Sequence, residues 1–250
     1  MYNALILAGN KEKGPLEIAT NVENKALIII NRKPIIEYVV DALSKTDKID
    51  RIIVIGPEKE LYPYIGEKVE KILESGNSIL ENIEKGLKYY NSDNNLLILT
   101  SDIPLITSQA IDEFIKSNLE RGTHIGYPII NKSKIIEKYP TTVRTYFKMK
   151  EGIFCGGNII FFKPEIFFKQ KMLIKELFDI RKSTWKYVKI LGFKFIIKFL
   201  FKTLTLEEIE NKVTKIIGCK SAAIMVSYPE IMIDLDKISD LELISQCLIR

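Results

Sequence analysis

Short uninterrupted apolar runs alternate with amphipathic stretches through the first 120 residues. Residues 4–8, 51–55 and 96–99 are almost wholly apolar, without the in–out alternation of a half-exposed strand. Such runs predict strands of a parallel sheet covered on both faces. Between them, apolar residues recur at helical spacing over 35–43, 78–90 and 110–119. Pro34 stands in the favoured first turn of one helix, and Thr107 or Ser108 is placed to cap another. Residues 9–24 form a polar connection. Strands separated by helices of this length predict βαβ units and right-handed crossovers. The second half changes character. Strands are expected over 146–150, 159–162 and 222–227, with helices from Pro164, over 207–217 and over 240–248. The predicted fold class is α/β: a three-layer, Rossmann-like arrangement with a mostly parallel sheet, in one domain spanning 1–250, with 185–217 as a C-terminal helical elaboration.

Composition narrows the function. Of 250 residues, 46% are apolar and 28% charged, as in ordinary globular chains. The net charge is +5, with lysines scattered among glutamates rather than gathered on one basic face, so no nucleic-acid partner is expected. Three cysteines without a CxxC pair suggest neither a disulfide framework nor a zinc site. His124 is the only histidine, and its polar setting makes Ser-His-Asp or Cys-His catalysis a poor expectation. Met1 runs directly into the first strand with no basic leader, which predicts a cytoplasmic protein.

Three clusters carry candidate chemistry. In open parallel sheets, ligands bind beyond the carboxyl ends of the strands. Leu7-Ala8-Gly9 ends the first strand, and Lys25 closes the loop that follows. A glycine there allows backbone to approach phosphates closely, and the lysine supplies positive charge. Asp102 follows the third strand, where a carboxylate is a hard-oxygen ligand suited to Mg²⁺. Asp234 and Asp236 alternate on an extended segment and so share one side of it, placed to complete a metal site with Asp102.

Together these motifs resemble the MobA-like nucleotidyltransferases, related to cytidylyl- and guanylyltransferases. The family's opening "LAGG" is matched by Leu7-Ala8-Gly9-Asn10, and its "PK-x-L" by Asn24-Lys25-Ala26-Leu27. Its "x-G-K-P" helix start corresponds to Asn31-Arg32-Lys33-Pro34. "D-x-P-[LF]-[IL]-[TS]" is matched by Asp102-Ile103-Pro104-Leu105-Ile106-Thr107, and the terminal acidic motif by Asp234-Leu235-Asp236 with Asp240-Leu241. The resemblance implies transfer of a nucleoside monophosphate from a triphosphate to a phosphorylated small molecule, with Mg²⁺ as cofactor. It implies Lys25 and Asp102 as catalytic residues, and Asp102 and Asp236 as metal ligands. Nucleotide contacts are expected from Leu7, Ala8, Gly9, Asn10, Lys13, Lys25, Ser78 and Asn82, and acceptor contacts from Gly156, Gly157 and Asn158. Three departures fall in the phosphate loop. Asn10 replaces the second glycine, Asn24 replaces the proline before Lys25, and Lys11 and Lys13 stand in for the absent loop arginine.

Residues 189–202 interleave Lys194, Lys198 and Lys202 with large apolar side chains. A helix here is expected to lie on the core, in a homodimer contact, or against anionic lipid or a lipid-linked acceptor. The sequence is also compatible with two rival functions. One is a sugar-nucleotide-dependent glycosyltransferase of the related GT-A fold, although Thr100-Ser101-Asp102 matches its D-x-D motif poorly. The other is a nucleotide-binding or membrane-associated module without turnover, for which Asn10 and Asn24 would be responsible.

Overall fold

The computed structural model of the protein describes residues 1–9, 13–90, 94–180 and 192–249. In chain order the elements are β1 Tyr2–Leu7, α1 Pro15–Thr20, β2 Ile29–Ile30, β3 Lys33–Pro34, α2 Ile35–Ser44, β4 Ile49–Ile55, α3 Glu58–Ile65, β5 Lys71–Leu73, α4 Ile79–Tyr90 and β6 Leu96–Thr100. There follow α5 Ser108–Arg121, β7 Ile125–Asn131, α6 Lys132–Lys138, β8 Phe147–Met149, β9 Gly152–Gly156, β10 Ile159–Phe162, α7 Pro164–Lys169 and α8 Lys171–Ile180. The chain ends with α9 Phe193–Leu200, α10 Leu206–Ile217, β11 Ser221–Met225 and α11 Ile238–Leu248.

The main sheet runs β5-β4-β1-β6-β10-β7-β9-β8, with β11 beside β7. β5, β4, β1 and β6 are parallel, as their apolar runs predict. β10 then enters antiparallel between β6 and β7. The strands supply two cores by simple alternation. Ala4, Ile6, Ile52, Val54, Leu97 and Leu99 join one cluster with α2 and α5, through Ile36, Val40, Ile111 and Phe114. Leu5, Ile53, Ile55, Leu96 and Ile98 join a second, with Ile83 and Leu87 of α4 and Phe167 of α7. Burying both faces of each central strand makes the three layers. The α/β class and the Rossmann-like layering follow the sequence pattern.

Several local features differ from expectation. The polar connection 9–24 contains α1, opened by Pro15 and held by buried Leu16, a helix too short to show a period. Gly156 ends β9, a strand not among those expected from the sequence. Thr107 does cap α5, its hydroxyl accepting from the Ala110 amide. Of the expected elaboration 185–217, residues 185–191 lie outside the described residues, and the remainder forms α9 and α10. Lys202 ends α9 in the left-handed conformation (φ 58°), and the Thr203 amide donates back to the Lys198 carbonyl. That is a Schellman closure with lysine where glycine is usual.

Candidate active site

The carboxyl ends of β1 and β6 are neighbours in the sheet, so the turns after them converge. The Ser101 amide donates to the Leu7 carbonyl. Asp102 follows, 9% exposed, and its own carbonyl accepts from the Leu235 amide at 2.9 Å. That bond fastens the C-terminal segment to the end of β6. Ile233 and Leu235 are fully buried in the core, so the alternating Asp234 and Asp236 turn toward Asp102. Asp102, Asp234 and Asp236 each offer an oxygen within 4.8 Å of the others.

Lys25 closes the group. Its Nζ lies 2.5 Å from Asp102 Oδ2 and 2.8 Å from Asp236 Oδ1. Burial disfavours its charge, but the two carboxylates more than offset this, and its pKa moves upward. Asn24 positions the lysine. Its side chain accepts from the Ala26 amide and donates to the Ala8 carbonyl at 2.7 Å, so it caps the turn Lys25–Leu27 and ties it to the end of β1. The replacement of proline at position 24 therefore has a structural use, and it leaves Lys25 over the carboxylates.

A second cation, Arg144, is missing from the sequence reading. It is 7% exposed in its side chain, donates to Asp234 Oδ1 at 2.6 Å and to the Asp234 carbonyl at 2.9 Å, and reaches Asp240 Oδ1 at 2.9 Å. Asp240, in the first turn of α11, accepts from the Asp236 and Lys237 amides. Arg144 thus holds the acidic segment to the body of the protein. Burial and the charge of Asp236 push the Asp234 carboxyl up to about 6, with Arg144 opposing. Burial also works against ionisation of Asp236, but Lys25 and Arg144 outweigh it and its pKa falls.

A cavity of about 500 Å³ opens beside this group, bounded by Arg144, Phe147, Gly156, Asn158, Asp234 and Lys237 among others. Gly157 allows its close approach, since a Cβ there would lie 2.7 Å from Ile231 Cγ2 and 2.9 Å from Met232 Sδ. Asn158 holds the wall by its backbone: its carbonyl accepts from Thr100 and its amide donates to Ile231. Its side-chain amide also turns to the Ile231 carbonyl. Cys155 lines the cavity, but burial pushes its thiol up to about 11, so it is neutral and a poor nucleophile near pH 7. A larger cavity of about 690 Å³, between α2 and the 104–109 turn, contains none of the three carboxylates. Asp234 and Asp236 line the smaller one.

The expected nucleotide contacts are divided. Gly9 sits against Ser75 and Asn82, where a Cβ would come within 2.8 Å of Ser75 Cβ and 3.1 Å of Asn82 Nδ2. Asn82 is buried and accepts from the Gly76 amide, and Ser78 accepts from the Glu81 amide at the start of α4. These residues form one shelf beyond β1. The Leu7 carbonyl is engaged by Ser101, and the Ala8 amide is committed to Ile55 at 2.7 Å, so Ala8 offers no free N–H to a phosphate. Lys13 pairs with Glu23 at 2.5 Å rather than with the carboxylate group. Asn10 and Lys11 lie outside the described residues. His124 is in the α5–β7 connection, away from the lining of the cavity.

A metal fits these residues by two observations. Asp102 Oδ1 is buried without a hydrogen-bond partner among the described residues, although its other oxygen meets Lys25. A buried carboxylate oxygen left without a donor is costly, and a cation would satisfy it. The donor set is all oxygen, as Mg²⁺ requires.

The model of the MobA-like NTP transferase domain matches residues 4–167, well over half of the chain. The protein belongs to the MobA-like NTP transferase family. A 2-C-methyl-D-erythritol 4-phosphate cytidylyltransferase of Clostridium acetobutylicum is 31% identical over 102 residues, 38% of this chain and 44% of that protein. A ribitol-5-phosphate cytidylyltransferase of Lacticaseibacillus paracasei is 24% identical over 159 residues, 58% of this chain and 65% of that protein. The chain spans about half the length of the first of these curated relatives. A structure described as a hypothetical transferase from Thermus thermophilus superimposes with a TM-score of 0.83 at 29% identity, covering 96% of this chain and 98% of that one. The MobA-like match ends before α9, α10 and the segment of Asp234 and Asp236, so the second acidic motif lies outside it.

Proposed function

We propose that the protein is a Mg²⁺-dependent nucleotidyltransferase that moves a cytidylyl group from CTP to a phosphorylated, polyol-like acceptor. The observation that carries this reading is the meeting of Lys25 with buried Asp102 and with the more exposed Asp236, which lines the Gly156–Asn158 cavity. The choice of CTP and of a polyol phosphate rests on the names of the two curated relatives. An oxygen of the acceptor phosphate forms a bond to the α-phosphorus of the triphosphate. The bridging bond to the β-phosphate breaks, and pyrophosphate leaves with the electron pair. Such chemistry needs in-line positioning and charge neutralisation rather than a protein nucleophile. The neutral Cys155 and the remote His124 agree with that.

Each residue then has a task. Lys25 presents its ammonium to the triphosphate and stabilises charge developing on it. Asp102 and Asp236, with Asp234 as the adjoining carboxylate, would hold Mg²⁺, which when bound neutralises phosphate charge and aligns the two reactants. Arg144 keeps Asp234 and Asp240 in place as a positioning residue. Gly9, Ser78 and Asn82 form the shelf for the nucleotide, and the Gly156–Asn158 wall receives the acceptor. The test is pyrophosphate release from each nucleoside triphosphate with Mg²⁺ and a panel of polyol phosphates. Acceptor-dependent release with CTP supports the reading. Release of a nucleoside diphosphate from a sugar nucleotide instead would assign a glycosyl transfer, and nucleotide binding without either product would make the chain a binding module.

A further inference from the structure

Helix α9 does not bury its most apolar side. Phe195 turns inward and packs in a cluster with Phe147, Met149, Phe154 and Leu204. Phe193, Ile197, Leu200 and Phe201, at i, i+4, i+7 and i+8, share an outward stripe. Phe193 is 70% exposed, Leu200 68% and Phe201 75%. Contiguous apolar stripes of this size on a soluble surface mark a contact.

The charge beside the stripe has one sign. Lys194, Lys198 and Lys202 follow one another at four-residue steps along its edge. Lys198 pairs with Glu208, while Lys194 and Lys202 form no ion pair among the described residues. Between Asp179 and Glu207 the sequence carries seven lysines and arginines and no acidic residue. Outside that stretch the remaining 30 basic residues face 32 acidic ones. Along the sequence, the net positive charge therefore falls within residues 180–206, the stretch that contains α9.

We propose that the exposed face of α9 docks on an anionic lipid surface, with Phe193, Leu200 and Phe201 entering the interface and Lys194 and Lys202 meeting the headgroups. An apolar stripe bordered by unpaired lysines is the pattern of a helix lying in the plane of a bilayer surface. The attachment is peripheral, because no helix among the described residues is long and apolar enough to cross a membrane. Phe147 belongs to the cluster that anchors α9 and also lines the acceptor cavity. Docking therefore sets that cavity beside the lipid surface.

The experiment is flotation of the full chain with vesicles of phosphatidylcholine alone and of phosphatidylcholine with phosphatidylglycerol. Binding is expected to the anionic vesicles only, and it should fall steeply when salt rises toward about 1 M, where screening reaches about 3 Å. Each lysine near an anionic surface is worth about fivefold in partition, so Lys194→Gln with Lys202→Gln should reduce binding about 25-fold. Phe193→Ser with Leu200→Ser and Phe201→Ser should abolish it at low salt. All of these side chains are exposed, and near-UV circular dichroism checks that both variants keep the native fold. Absence of flotation with anionic vesicles would overturn the proposal. So would equal binding to both vesicle types, or a solution dimer by light scattering that the apolar variant dissolves, since a second copy would then cover the stripe.

Discussion

Replacing Arg144 with methionine removes a buried cation while keeping much of its volume. Its side chain is 7% exposed, and its partners Asp234 and Asp240 are 22% and 4% exposed. Breaking a buried ion pair from one side leaves uncompensated charge and costs about 3–5 kcal/mol. For a domain of this size that corresponds to a fall in midpoint of about 6–20 °C. The loss should depend on pH. The Asp234 carboxyl already sits at about 6 in the fold because of burial and Asp236, and removing Arg144 takes away the influence that holds it down. A carboxyl whose folded pKa exceeds its unfolded value of roughly 3.9 adds stability below that value and loses it as pH rises through the folded pKa. Arg144→Met should therefore be destabilised more at pH 8 than at pH 5, where Asp234 takes up a proton. Urea denaturation of both proteins at the two pH values measures this. An unchanged midpoint, or an equal loss at both pH values, would refute the assignment of Arg144 as the counter-charge of the acidic segment.

Three further substitutions follow from the geometry. Lys25→Ala should weaken triphosphate binding by about 10–150-fold and nucleoside binding far less, as expected for loss of a charged contact worth about 1.5–3 kcal/mol; equal losses in calorimetry would show that Lys25 does not read phosphate. Asn24→Ala removes the cap of the Lys25 turn and its tie to Ala8, so it should cost about 1–2 kcal/mol of stability and also weaken triphosphate binding; a thermal melt and a titration unchanged from the parent would count against it. Gly9→Ala should reduce nucleotide affinity, because its Cβ would press on Ser75 and Asn82, and an unaltered affinity would separate that shelf from the nucleotide.

The strands β1, β4 and β6 were legible in the sequence because both of their faces are buried, which writes them as continuous apolar runs. The alternation of Asp234 and Asp236 about buried Leu235 was legible for the same kind of reason. β7 was not, since Tyr127 is partly exposed and Pro128 interrupts the run. Arg144 left no signal at all. It lies in a stretch without periodicity, and its importance arises from contacts with residues 90 and 96 positions away. The bond from the Leu235 amide to the Asp102 carbonyl is equally long-range. Motif order named Asp102, Asp234 and Asp236 together, and the fold shows them within 4.8 Å of one another and what holds them there. The phosphate loop worked the other way. Asn24 read as a loss of the family's proline, whereas its side chain supplies the cap that fixes Lys25.

The proposed function assigns nucleotidyl transfer to the Lys25–Asp102–Asp236 group. The most direct measurement is pyrophosphate release from CTP with a polyol phosphate, comparing the parent protein with Asp102→Asn in the presence of Mg²⁺ and of a chelator. Release by the parent that needs both acceptor and Mg²⁺, and that disappears in Asp102→Asn while its melting transition remains cooperative, is the predicted result. Pyrophosphate release that persists undiminished in Asp102→Asn, or in the chelator, would contradict it.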